Sequence, residues 1–170
     1  ARVEFTAALA ENRNDPESII YRNNAEIAAV ESYAIAVILP IGSAVNPAQE
    51  LMRGVAQAQT DINDAGGING TPLKVLLIDD KDDVETAKAI ANALVSTPDI
   101  LGVVGHFSSG TTLAVSEIYE AGELPMVSPT STAVKIADAG DYIFRTVPSD
   151  RLAAATLSRY VLNELQQTQA

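Results

Sequence analysis

"YAIAVILPIGSAVNPAQELMRGVAQAQTDINDAGG", residues 33–67, decides the fold. Its first part, Tyr33 to Leu39, has the length and apolar content of a buried strand, and Pro40-Ile41-Gly42-Ser43 breaks it. Asn46 is then placed to cap a helix whose first residue is Pro47, where proline's missing N–H has no helical partner to lose. Leu51, Val55, Ala58 and Ile62 recur at helical spacing, and Gly66-Gly67 stops that helix. The alternation repeats downstream. "LKVLLID" (73–79) reads as a second strand, and Asp82 or Asp83 caps a helix with Val84, Ala87, Ala91 and Leu94 on its inner face. "ILGVV" (100–104) is a third strand, followed by a loop and a helix to about residue 121. "LPMVS" (124–128) and "YIFRT" (142–146) supply a fourth and a fifth strand, and a last helix is expected over about 150–165.

Strands alternating with helices at this spacing predict an α/β fold, a parallel sheet with helices on both faces and right-handed crossovers. The expected strand order is 2-1-3-4-5, reversing between strands one and three. Ligands of such sheets bind at that switch point, off the carboxyl ends of the strands. The loops at 40–46, 105–110 and 128–132 are therefore the ones that matter.

The bulk numbers narrow the partners. The 170 residues suffice for one ordinary domain, and 47% hydrophobic against 19% charged residues describes a folded globular chain. With 22 acidic and 11 basic residues the net charge is −11, which argues against nucleic acid and anionic membrane surfaces. There is no cysteine, hence no disulfide and no thiolate metal site. The run 33–39 is too short to cross a bilayer. "ARVEFTAALAENR" at the amino terminus lacks the basic start and continuous apolar stretch of a signal peptide, so a signal was removed or the chain was cut from something longer.

The loop after strand three, "VVGHFSSGTT" (103–112), admits several chemistries. Its glycines have the spacing of a phosphate-binding loop, but Thr111 stands where that loop needs lysine, and a nucleotide's charge would meet an acidic protein. A hydrolytic nucleophile elbow needs G-x-S-x-G, whereas Gly105 and Ser108 are separated by two residues and Ser108 and Gly110 by one. His106 is the only histidine, and at a strand end it reads as a satisfied hydrogen-bonder rather than a base. The acids of "IDDKDD" (78–83) suggest a phosphoacceptor site with Mg²⁺, yet the aspartate required after the third strand is replaced by Gly105-His106. The plainer reading makes Asp82 and Asp83 helix caps and leaves the other acids solvated. No metal, cofactor or catalytic residue is expected.

What remains is capture of a small anion without charged side chains. Ser108, Ser109, Gly110, Thr111 and Thr112 supply hydroxyls and free backbone N–H groups at a helix start, where the dipole favours a negative group. One carboxylate suits this better than a triphosphate. The next loop, "SPTSTA" (128–133), repeats the chemistry: Thr130, Ser131 and Thr132 offer carbonyls and hydroxyls to a donor such as an ammonium. Two capped helix starts would explain the same residues without a ligand, but two such loops converging on the switch point favour binding.

These residues also resemble a family. "AVILPIGSAV…GVAQAQTDINDAGGINGTPLKVLLIDDKDD", "GVVGHFSSGTTLAVSEIYEAGELPMVSPTST" and "YIFRTVPSD" are similar to the first, Rossmann-like three-layer lobe of the type I periplasmic-binding proteins. The resemblance is to the leucine/isoleucine/valine branch that feeds ABC importers, and it covers about residues 33–165. It implies a non-enzymatic, periplasmic or extracellular solute-binding lobe that closes with a second lobe on an amino acid and works with an importer permease. By motif position it implies that Ser109 binds the ligand carboxylate with hydroxyl and amide. The Thr130 carbonyl would receive the ammonium, and Thr132 would bind through side chain and amide. Two departures bear on the ligand: Thr130 occupies a position that is typically alanine, and Pro47 replaces an aromatic that covers the ligand's side chain.

Family members are about twice this length. The expected organisation is a first lobe over 32–148, with 149–170 the first helix of a missing second lobe. That helix, carrying Leu157, Val161 and Leu165, is expected to pack on a neighbouring copy as a dimer or to stay mobile. Residues 1–31 resemble the end of one tetratricopeptide repeat and the start of the next, a remnant or linker of two short helices. This leaves a second reading, the sensor domain of a membrane-tethered receptor in which the pocket serves a signalling module.

Overall fold

The computed structural model describes residues 1–166. Two helices, α1 (Arg2–Glu11) and α2 (Pro16–Ile27), precede β1 (Tyr33–Leu39). Then follow α3 (Val45–Asp64), β2 (Leu73–Asp79), α4 (Val84–Val95), β3 (Ile100–Val104), α5 (Ser109–Ala121) and β4 (Met126–Ser128). A 3₁₀ turn at Val134–Asp138 leads to β5 (Ile143–Arg145) and α6 (Asp150–Asn163). The five strands form one parallel sheet in the order β2-β1-β3-β4-β5, as the alternation predicts.

Two cores flank the sheet. On one face Ala36, Ile38, Val103, Met126 and Ile143 pack with Ala87, Ala91 and Leu94 of α4 and Val115 and Tyr119 of α5. On the other, Val37, Leu39 and Val75 pack with Ala48, Met52 and Ala56 of α3 and Ile20 of α2. Small alanines on α3 and α4 let the helices sit close to the sheet in a chain with few aromatics.

Helix α2 is tied to the lobe by polar groups as well. Asn24 donates from Nδ2 to the Val75 carbonyl (2.7 Å) and accepts from the Val75 N–H (3.1 Å), the two bonds a further strand would make to edge strand β2. Asn63 of α3 does the same to both backbone groups of Leu73. Gln59, fully buried, joins them by donating to Asn24 Oδ1 (2.8 Å) and to the Leu73 carbonyl (3.1 Å). Asp15 caps α2 on Ser18 N–H, with Pro16 in the first turn as expected.

Three expectations need correction. Asn46 does not cap α3: the helix begins at Val45 after Ala44, whose own N–H donates to the Pro40 carbonyl, so the turn leads directly into the helix. Pro47 still lies in the first turn, where its missing N–H costs no helical bond. The most buried stripe of α3 is Ala48, Met52, Ala56 and Gln59, because α2 packs against that side as well as the sheet. Leu51, Val55 and Ile62 lie on its flank, lining with Ile35, Val37, Val104 and Pro129 an apolar groove of about 400 Å³, while Ala58 is exposed. Strand β4 is shorter than 124–128 because the Leu124 N–H donates to the Tyr119 carbonyl and so closes α5.

On the α3 side of the sheet the core is built on β1 and β2, with Val104 of β3 packed at its edge. Leu101 of β3 and Phe144 of β5 are each 50% exposed. Helix α6, capped by Ser149, buries none of its residues. No helix among the described residues is long and apolar enough to cross a membrane.

Candidate functional site

The loop after β3 and the loop after β4 meet at the carboxyl end of the sheet. Thr130 donates its hydroxyl to the Phe107 carbonyl at 2.5 Å, and the Thr112 and Ser131 hydroxyls are 2.8 Å apart. The Ala133 N–H donates to Ser109 Oγ at 3.3 Å. Below, Ser128 donates to the His106 carbonyl at 2.9 Å. The loop at 40–46 is anchored separately, with the Gly42 N–H donating to Asp79 Oδ2.

The expected site residues divide into two groups. Ser108, Thr111 and Ser131 build the loops. Ser108 caps α5, accepting from the Thr111 N–H at 3.2 Å, and the Thr111 hydroxyl bonds to Ser108 and to Asp82 Oδ1. Thr111 and Ser131 are buried, and the Ser131 N–H donates to Ser128 Oγ. The second group keeps polar atoms without a partner among the described residues: the N–H groups of Ser109 and Gly110, the Thr130 carbonyl, and the Thr132 N–H and hydroxyl. The two amides are the first two of α5, where the helix leaves donors unpaired and its dipole is positive. The Thr132 carbonyl is occupied, by the Asp150 N–H and by Arg145 Nη1, which also donates to the Ala133 carbonyl.

This arrangement suits a small zwitterion. Two free amides can donate to one carboxylate, and a free carbonyl can accept from an ammonium. A triphosphate would instead meet the Asp82 carboxylate, which lies 3.2 Å from the Thr111 hydroxyl that stands in the lysine position.

The acids of 79–83 hold the loops. Asp83 caps α4 through Thr86, and the hydrogen bonds from the Thr86 hydroxyl and N–H hold its carboxyl below the usual carboxylate range. Asp79 accepts from the Lys81 N–H and from Gly42. Asp80 is not solvated, contrary to expectation: it is fully buried, with Oδ2 2.7 Å from His106 Nδ1. His106 Nε2 is 3.1 Å from the Tyr119 hydroxyl, so both ring nitrogens are engaged and neither serves Ser108 as a base. No cluster of three or more acidic or histidine side chains among the described residues could hold a metal.

Burial pushes the Tyr119 hydroxyl well above its ordinary value of 10.0, and the Asp80 charge adds to the shift. The unfolded chain therefore ionises Tyr119 at a pH where the folded chain does not. This contribution to stability is complete below pH 10 and is lost as pH rises toward the folded-state value. Urea unfolding above pH 10 is expected to lose about 1.4 kcal/mol per pH unit from this group. Tyr119→Phe is expected to remove that part of the slope; an unchanged slope would mean the hydroxyl ionises freely in the fold.

Comparison with known proteins identifies the family. A family model for periplasmic binding proteins matches residues 32–170. An amino acid binding protein of Pseudomonas aeruginosa is 35% identical over 119 residues, covering 69% of this chain and 32% of the relative. The Leu/Ile/Val-binding protein of Escherichia coli is 32% identical over 142 residues, covering 82% of this chain and 38% of the relative. Among solved structures, an ABC transporter substrate-binding protein from Desulfitobacterium hafniense in complex with Leu superposes with a TM-score of 0.73 at 32% identity, covering 79% of this chain and 39% of that one. The chain belongs to the type I periplasmic binding proteins, in their branched-chain amino acid branch. It spans about a third of the length of the curated relatives it matches.

Proposed function

We propose that this chain is the first lobe of a solute-binding protein that captures an amino acid or a related small carboxylate, outside the cytoplasmic membrane, for an ABC importer. The observation that carries the reading is the set of unpartnered groups at the switch point: the Ser109, Gly110 and Thr132 amides as donors for one charge of a zwitterion, the Thr130 carbonyl and the Thr132 hydroxyl oxygen as acceptors for the other. The Ser109 hydroxyl joins the carboxylate side. No bond is made or broken, and neither metal nor cofactor takes part. The relatives named for leucine, isoleucine and valine support an aliphatic amino acid, and closure on a second lobe would bury what this lobe leaves open.

Amide NMR titration tests this. With leucine, saturating shifts are expected at Ser109, Gly110, Thr130 and Thr132. Ser109→Ala and Thr132→Val should each weaken binding about tenfold, the cost of one hydrogen bond to a charged group. Shifts with Mg²⁺–ATP alone would overturn the reading in favour of phosphate.

The sensor reading keeps a specific support. Helices α1 and α2 resemble parts of helical repeats, and α2 is bonded to β2 through Asn24, so an amino-terminal module would be held firmly against this lobe. Binding chemistry is the same in both readings. Helix α6, with no buried residue, is the surface through which two copies of the chain would pair; sedimentation showing a monomer at every concentration would exclude that pairing.

A further inference from the structure

Nothing in the binding reading uses the buried Asp80, His106 and Tyr119. All three are fully buried, and they come from the end of β2, the end of β3 and the middle of α5. Buried polar groups of this kind are costly unless every one is satisfied. Here they satisfy one another: Asp80 Oδ2 to Nδ1 at 2.7 Å, Nε2 to the Tyr119 hydroxyl at 3.1 Å. The second Asp80 oxygen accepts the Asp82 N–H at 3.0 Å.

The geometry assigns the protons. The Tyr119 hydroxyl has no other acceptor among the described residues, so it donates to Nε2. Nε2 then carries a lone pair, Nδ1 carries the proton, and Nδ1–H donates to the carboxylate. A buried Tyr hydroxyl and a buried carboxylate thus select one tautomer and one ring orientation.

The orientation matters because both loops hang from this residue's backbone. The His106 carbonyl accepts from Ser128 (2.9 Å) and Thr112 (3.4 Å). The adjacent Phe107 carbonyl accepts from Thr130 (2.5 Å) and Ser131 (3.5 Å). With the ring anchored at both nitrogens, the residue is held in place; releasing it would let the backbone at 106–107 shift, and with these carbonyls the loop that carries Thr130 and Thr132.

We infer that Asp80, His106 and Tyr119 form a positioning chain that holds the carboxylate loop and the ammonium loop in mutual register, with His106 fixed as the Nδ1–H tautomer. None of the three touches the ligand. The inference rests on the amino-acid capture reading for its functional consequence, while its structural content stands apart from any ligand.

The test uses ¹⁵N-labelled chain, wild type and Tyr119→Phe, with imidazole nitrogen spectra, backbone amide spectra and leucine titration. Wild type should show a protonated Nδ1 and a bare Nε2. Tyr119→Phe should mix the tautomers and shift the amides of Ser109, Gly110 and Thr132, which are not in contact with the lost hydroxyl. It should also weaken leucine about tenfold, as loss of register between charged-group contacts would. His106→Asn, which keeps a donor opposite Asp80, should recover more affinity than His106→Leu; if the Leu variant fails to fold, Tyr119→Phe decides. Unmoved loop amides with affinity within about twofold of wild type would overturn the inference and leave amino-acid capture intact. If wild type binds no leucine, the capture reading falls, and the tautomer and loop amides still decide the positioning chain.

Discussion

Gly105→Ala is expected to destabilise the lobe by about 3 kcal/mol or more, the range for backbone conflict in a core. Gly105 has φ +134°, a conformation that side chains disfavour, and an added Cβ would sit 2.3 Å from the Ile38 carbonyl oxygen. Ile38 is fully buried in an interior strand, so its carbonyl cannot retreat without moving β1. The conflict would surface one residue away, at His106, and displace the carbonyls that carry both binding loops. Urea unfolding gives the stability change, and amide shifts over residues 106–112 give the displacement. A loss under about 1 kcal/mol, typical of a tolerated substitution, would show that the loop absorbs the methyl group.

Ile20→Ala is expected to cost about 2–5 kcal/mol, the range for a fully buried aliphatic truncated to alanine. Ile20 is 0% exposed and belongs to the same cluster as Met52, Ala56 and Val37. The loss should be local first. Val75 N–H, held by Asn24 Oδ1 at 3.1 Å, should exchange with solvent faster than the amides of β3. Equal acceleration of exchange at both places, or a stability change under about 1 kcal/mol, would mean that α2 rests on the lobe without contributing to it.

Much of this was legible in the residues. The apolar runs 33–39, 73–79 and 100–104 became β1, β2 and β3 with those bounds, because short aliphatic runs between turn residues leave few alternatives. The glycine, serine and threonine content of 105–112 and 128–133 identified the two loops that meet. Asp80 escaped because its partner lies 26 positions away, and a local reading sees only another acid in an acidic run. The 3₁₀ turn at Val134–Asp138 has too few residues to show a period. On α3 the periodic apolar residues were visible, but which flank faces inward depends on where α2 lands. The free groups at the switch point are largely backbone N–H and carbonyl, which side-chain patterns report only through where helices begin.

The strand order also governs how the chain can assemble. Residue Tyr33 of β1 pairs with Leu73, forty positions along, and Ala34 with Ile100, still further on. This interior strand therefore has no local partner, and its loop-closure entropy must be met before any of its pairings is rewarded. Helices α4 and α5 can coil early, but the sheet forms by a slow, distant search. The topology that delivers both loops to one end is thus the same one that sets the pace of folding.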